Sequence, residues 1–297
     1  MSANGGRLVI VKLNGGLGNQ MFQYAAGRSL SLRTGSSLAV DVRDCDSHCG
    51  YELSTVFMVD PPSATPADVR SMLAWRRRRK VQLALARQPF APLRGRYVPE
   101  PHFQHWKGFD NLGPGCYLDG YWQSPDYFAS IEPQLRTDFA FRNRLMGLNA
   151  EIGAAIAEAD ASVSVHVRRG DYVADARAAG IHGTADISYY REATAMIAAR
   201  LEALPTLFVF SDDPAWAKAN LGLPSTAIFV EHNKGPHSHF DMQLMALCSH
   251  NIIANSSFSW WAAWLNPNRP KVVVAPARWF LVGHDTSTLL PSSWIRI

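Results

Sequence analysis

The chain has 297 residues, of which 47% are hydrophobic, 18% charged and 11% aromatic. So much apolar material with so little charge excludes a disordered, collagen-like or coiled-coil chain, and the length predicts two domains or one large one. The formal charge of +4 is too small to imply nucleic acid.

Residues 7–13 read as a short apolar strand running into a glycine-rich turn, Asn14-Gly15-Gly16-Leu17-Gly18-Asn19-Gln20. A helix over 21–32 and a strand over 37–42 follow, and 45–66 read as loop. A helix is predicted over 69–87, ended by Pro89 and Pro92. Proline and glycine then dominate to about 115, before a strand at 116–118 and a helical turn at 127–131. From Asn149 the texture changes to steady alternation. Helices are predicted over 151–159, 189–204, 215–221, 239–248 and 258–265. Strands are predicted over 162–167, 206–210, 226–230, 251–254 and 271–274. This alternation implies a parallel, doubly wound α/β sheet whose ligands bind at the carboxyl ends of the strands. It places a domain boundary between residues 148 and 149.

Cys45, Cys49, Cys116 and Cys248 are too few and too scattered for a disulfide framework, so reduced thiols are expected. The apolar run from Leu8 is broken at Lys12, too early for a secretory or membrane-spanning segment, and a cytoplasmic location is expected.

Four constellations carry chemistry. In Val163-Ser164-Val165-His166-Val167-Arg168-Arg169-Gly170-Asp171-Tyr172 the valines alternate, placing Ser164, His166 and Arg168 on the opposite face. Burying a histidine and an arginine there costs desolvation energy, which an anion beside the Arg168 guanidinium would offset. The alternative is an interdomain salt-bridge cluster. Asp241 shares a helical stripe with Leu244, Met245 and Cys248; it is either a helix cap or a ligand group suited to the paired N–H donors of guanine. Ser256 and Ser257 stand between a strand and a helix, where they form either a simple N-cap or an anion site on the helix dipole. The loop at Gly15, Gly16 and Gly18 lacks the third glycine of a dinucleotide fingerprint but permits close approach of backbone to a ligand.

Three further patterns read as bland. Asp44-Cys45-Asp46 resembles a two-carboxylate metal signature but lies in a polar loop and is taken as solvated. Cys45, His48 and Cys49 lack a fourth ligand at zinc spacing. The basic run Arg76-Arg77-Arg78-Arg79-Lys80 after Trp75, inside the predicted 69–87 helix, is a solvated face or a contact for anionic lipid head groups or a diphosphate-linked glycan.

Taken together, the chain resembles the bacterial α-1,2-fucosyltransferases of glycosyltransferase family 11. The likeness rests on Gly15 to Tyr24, Gly120-Tyr121-Trp122-Gln123-Ser124, His166 to Tyr172, Ser211-Asp212-Asp213 and Asn255-Ser256-Ser257-Phe258-Ser259-Trp260-Trp261. The resemblance implies a two-domain GT-B-like fold. Residues 1–148 would form an acceptor-side domain and 149–297 a Rossmann-like donor domain, with the active site in the cleft between them. It implies GDP-L-fucose as donor, the 2-hydroxyl of a terminal galactose as acceptor, and inverting transfer without a metal. His166, Arg168 and Arg169 would hold the nucleotide diphosphate, Asp241 the guanine, and Ser256 and Ser257 the phosphates. Gly16 and Asn19 would also lie at the donor. Asp171 is the first candidate for the catalytic base and Asp175 the second. Another inverting glycosyltransferase, or a silent sugar- or nucleotide-binding protein, are the competing readings. The animal members carry an N-terminal span that is not read in this sequence, so a bacterial, cytosolic enzyme is expected.

Overall fold

The structure, a computed structural model, describes residues 8–45, 50–85, 95–170, 180–181, 183–281 and 283–297. It divides into two units, Met1–Arg142 with Asp285–Leu289, and Asn143–His284 with Leu290–Ile297. Among the described residues no helix is long and apolar enough to cross a membrane.

The first unit is built on four parallel strands, β1 (Leu8–Lys12), β2 (Ser37–Asp41), β3 (Tyr97–Pro99) and β4 (Tyr117–Asp119), in the order β2-β1-β4-β3. Helix α1 (Leu17–Thr34) begins four residues earlier than its apolar pattern suggests. The reason is that buried polar side chains belong to it. Gln20 Nε2 donates to the carbonyls of Gly15 and Gly50 at 2.9 and 2.8 Å, and Gln23 Oε1 accepts from the Asn14 N–H at 3.0 Å. These amides satisfy loop backbone that burial would otherwise orphan. A short helix, α2 (Leu53–Val56), lies within the predicted loop.

The helix expected over 69–87 is broken. Helix α3 (Pro66–Leu73) starts on a Thr65–Asp68 capping box and ends at Ala74, whose φ of 47° and ψ of −122° no helix can continue. A 3₁₀ turn, Ala74–Arg77, then leads to α4 (Arg79–Leu85). The basic run therefore straddles two helical pieces instead of lying inside one. Val69, Met72 and Leu73 of α3 pack on Ile10, Tyr97 and Tyr117 of the sheet. β3 escapes sequence reading because it is three residues long and set among glycine and proline. Helix α5 (Glu132–Asp138) closes this part of the chain.

The second unit holds six parallel strands. They are β5 (Ser162–Val167), β6 (Thr206–Ser211), β7 (Ile228–Val230), β8 (His250–Ile252), β9 (Val273–Ala275) and β10 (Ile295–Arg296), in the order β10-β9-β8-β5-β6-β7. Among the described residues its helices of a full turn or more are α6 (Leu148–Glu158), α7 (Ile187–Leu201), α8 (Pro214–Asn220), α9 (His239–Leu247) and α10 (Ser257–Leu265). The expected alternation is therefore present, with boundaries shifted by up to three residues and β10 added. Val163, Val165 and Val167 pack with Tyr190, Ala193 and Ile197 of α7 and Ala217 of α8. The opposite face takes α9 and α10, whose Trp260 and Trp261 are fully buried, so these tryptophans are packing residues. Fold class is thus α/β with two parallel sheets.

One buried amide ties that second face together. Asn251 on β8 donates through Nδ2 to Ser164 Oγ at 2.7 Å and lies 2.8 Å from the Met245 carbonyl of α9. Its Oδ1 accepts from Asn266 Nδ2 at 2.8 Å. Replacing it strands several buried polar groups, each at about 1–3 kcal/mol. Asn251→Ala is expected to lower the unfolding free energy by at least about 2 kcal/mol in a denaturant titration. A wild-type curve would show that the network contributes nothing.

Candidate active site

The carboxyl edge of the second sheet gathers most of the candidate residues. β5 is buried at all six positions and carries His166 next to its end. The imidazole is 6% exposed and its Nδ1 has no hydrogen-bond partner among the described residues. Burial, helped by the neighbouring Arg168 charge, pushes its pKa down to about 3, so His166 is neutral at physiological pH. Its ring sits 5.9 Å from that of Phe258 in the first turn of α10.

Just past the strand, parallel register brings Arg168 against Asp212. His166 pairs with Phe210 and Val167 with Ser211, and one step further Arg168 Nη1 lies 3.1 Å from Asp212 Oδ2. The same carboxylate accepts the Arg169 N–H at 2.8 Å. A Cβ at Gly170 would stand 2.8 Å from Asp212 Oδ2, so only glycine lets the chain turn over that carboxylate. Arg169 turns another way. Its guanidinium lies 3.6 Å from the Trp216 ring centroid, and its Nε stands 3.6 Å from Asp213 Oδ2, beyond hydrogen-bond reach.

Ser256 and Ser257 stand where β8 passes into α10. Ser256 is the N-cap and its hydroxyl accepts the Phe258 N–H at 3.3 Å; Ser257 is the first helical residue. The first turn of α10 has no acidic residue. Asp241 does not cap its helix, because Ser238 occupies the N-cap. Its Oδ1 accepts instead from Asn233 Nδ2 at 2.8 Å, three residues past β7. Asn233 is held in turn by Asn149 of α6, whose Oδ1 lies 2.8 Å from His232 Nε2. Asp241 Oδ2 has no partner among the described residues. Burial outweighs the Asn233 bond and pushes the Asp241 pKa up to about 7.

Arg168, His166, Ser256, Ser257 and Asp241 therefore share one edge. From β8 through β5 and β6 to β7 is three strand spacings, about 14 Å. Gly16 and Asn19 belong to the other unit, at the carboxyl end of β1. Gly15, at φ 73°, leaves no room for a Cβ beside Asn19, and Asn19 Oδ1 accepts from Gln123 Nε2 at 2.8 Å. Asp171 and Asp175 lie outside the described residues, as do Asp46, His48 and Cys49. Asp44 is ion-paired with Lys12 at 2.9 Å and Cys45 is fully buried, so the Asp44-Cys45 stretch is structural rather than merely solvated. Asp212, Asn233 and Asn149 had no assigned role in the sequence. Asp212 was detectable in part, as a carboxylate closing a strand.

The model of "Glycosyl transferase family 11" matches residues 86–286. The chain belongs to glycosyl transferase family 11. It is 32% identical to the O-antigen biosynthesis glycosyltransferase WbnK of Escherichia coli, over 96% of this chain and 99% of that one. It is 34% identical to an α-1,2-colitosyltransferase of Escherichia coli, over 98% of this chain and 99% of that one. A solved structure of the fucosyltransferase NodZ from Bradyrhizobium superposes with a TM-score of 0.53 at 16% identity, covering 86% of this chain and 92% of that chain. That likeness shows the GT-B-like fold. As a family 11 member, the chain is a glycosyltransferase.

The neutral state of His166 has a measurable consequence in this glycosyltransferase. Its folded pKa of about 3 lies below the unfolded value of about 6.5, so the unfolded chain binds the extra proton as pH falls. Stability from this residue is full above about pH 6.5 and is lost toward pH 3. Asp241 works in the opposite direction, since its raised pKa favours the folded state as pH falls from 7. His166→Gln should therefore remove up to about 1.4 kcal/mol per pH unit of acid sensitivity between pH 6 and 4, read by denaturation at each pH. Parallel wild-type and variant profiles would mean that His166 is not held neutral.

Proposed function

We propose that the chain transfers L-fucose from GDP-L-fucose to the 2-hydroxyl of a terminal galactose, with inversion, in the synthesis of an O-antigen, capsule or oligosaccharide. The observation that carries this reading is the shared edge of His166, Arg168, Ser256, Ser257 and Asp241. Its span of about 14 Å suits a nucleoside diphosphate laid with its base at Asp241 and its phosphates at Arg168 and the start of α10. The names of the relatives agree: one forms α-1,2 linkages, the other serves O-antigen synthesis, and NodZ crystals have been soaked with GDP-fucose.

In this reaction the galactose 2-oxygen attacks the anomeric carbon of fucose. The bond to the diphosphate breaks and GDP leaves with the electron pair. The developing negative charge falls beside the Arg168 guanidinium and the N-terminus of α10, whose dipole favours an anion. A guanidinium and a helix terminus supply the stabilisation that a divalent ion supplies in other enzymes, so the transfer is read as metal-independent. Asp212 fixes the direction of the Arg168 fork while also accepting the Arg169 N–H. His166, being neutral, adds a polar contact to the donor without a second positive charge. The acceptor proton passes to a base, with Asp171 first and Asp175 second among the candidates. Residues 1–148 are read as the acceptor-side domain.

A second reading has a specific basis. The α-1,2-colitosyltransferase is 34% identical, and colitose is L-fucose without its 3-hydroxyl. Release of GDP from GDP-fucose and from GDP-colitose, with lactose as acceptor and EDTA present, decides between them. Fucose turnover that needs lactose supports the first reading. Faster turnover with the colitose donor assigns the second, and no turnover with either rejects both.

Two substitutions test the donor contacts. Arg168→Lys keeps the charge but loses the bidentate fork. Losing one strong transition-state donor costs about 2.7–4 kcal/mol, so turnover should fall about a hundredfold or more. A lysine variant near wild-type turnover would remove Arg168 from the diphosphate. Asp241→Asn places an NH₂ against a guanine hydrogen, and GDP affinity should fall about five- to a hundredfold while ADP binding changes little. Because only the carboxylate accepts both guanine hydrogens, wild-type GDP affinity should also weaken as pH drops through about 7, and the variant should lose that dependence. Calorimetric titration at pH 6 and pH 8 reads both effects.

A further inference from the structure

The sequence from Val69 to Pro99 contains nine arginines or lysines and no aspartate or glutamate. With +4 on the whole chain, the other residues together carry −5. Charge of one sign is thus concentrated in a tenth of the molecule. This segment plays no part in the proposed chemistry and shares no residue with the edge described above.

Its described residues form a surface. A groove of about 590 Å³ is lined by Arg70, Ala74, Trp75, Arg78 and Val81. Arg70, Arg78 and Lys80 are exposed and form no ion pair with a described residue. The nearest acid in sequence, Asp68, is committed to its capping box with Thr65. Trp75 is 52% exposed, with the Arg76 guanidinium 4.7 Å from its ring centroid. It stands directly after Ala74, the positive-φ corner that breaks the helix. An exposed tryptophan at a positive-φ corner, beside cations that form no ion pair with a described residue, costs stability.

We propose that Arg70, Trp75, Arg76, Arg78 and Lys80 form a docking surface for an anionic phospholipid bilayer. The cations face the phosphate head groups, and the tryptophan takes the amphipathic position between head group and acyl chain. Charge complementarity fixes the occupant as anionic. The stacked Arg76 favours lipid over nucleic acid, because it covers a ring face that a base would need for stacking. The attachment is peripheral and reversible, and it does not depend on which sugar the enzyme transfers.

Co-sedimentation of the full chain with vesicles tests it. The protein should pellet with phosphatidylglycerol–phosphatidylethanolamine vesicles, not with phosphatidylcholine vesicles, and should come off as salt rises from 0.05 to 0.5 M, concentrations chosen to shorten the Debye length to a few ångströms (about 3 Å at 1 M). Each basic residue near an anionic surface strengthens binding about fivefold, so Arg70→Gln with Arg78→Gln should weaken it about 25-fold. Trp75→Ala should weaken it as well, and GDP release with a soluble acceptor should stay at the wild-type rate in every variant. Lys80→Gln alone, about fivefold weaker, serves if the double variant fails to fold. Equal pelleting with both vesicle types, undiminished binding by the variants, release by millimolar inorganic diphosphate, or tighter binding to single-stranded DNA than to the anionic vesicles would each overturn the proposal.

Discussion

β5 is buried on both faces along its whole length, and every polar group on it must either find a partner or lose its charge. Ser164 solves this by accepting from Asn251. His166 solves it by staying neutral, at the cost of acid stability. Arg168 cannot become neutral, so it emerges one residue beyond the strand, where the parallel register delivers Asp212 as counter-charge. The site is thus a consequence of where burial stops. Charge becomes tolerable at the carboxyl end of the strand, and that is where the sheet presents it.

The same logic explains Asp241. A carboxylate whose pKa is raised by burial destabilises the fold when ionised at neutral pH. The Asn149–Asn233–Asp241 chain holds it in place without neutralising it. A ligand with paired N–H donors would offset that cost. Arg169 offers the contrast. Stacked on Trp216 and close to Asp213, it resembles a packing arginine more than a ligand-facing one. The two adjacent arginines take different partners because successive residues leave a strand end in opposite directions.

The first unit uses its polar residues differently. Gln20, Gln23 and Asn19 are buried or half-buried on or beside α1, and their amides hold loops instead of facing outward. That explains why α1 is longer than its apolar periodicity suggests. Asp44 likewise spends its charge on Lys12. The basic segment after Val69 is the exception, since its Arg70, Arg78 and Lys80 form no ion pair with a described residue.

Local pattern by itself determined the second unit: β5 over 162–167, the helix–strand alternation after it, and the burial of Trp260 and Trp261. Those features follow from periodicity of two or 3.6 residues, which a linear sequence displays directly. The residue types at the site, His166, Arg168, Asp241, Ser256 and Ser257, were legible for the same reason, since each sits at a predicted strand or helix end. Their partners were decided only by the tertiary structure. Parallel strands need long crossovers, so Arg168 meets Asp212 from 44 residues away and Asn149 meets Asn233 from 84 residues away. The break at Ala74 was hidden too, because nothing in an alanine signals a positive φ. Short strands such as β3 and β10 carry too few residues for a period, and they exist because a neighbouring edge supplies their hydrogen bonds.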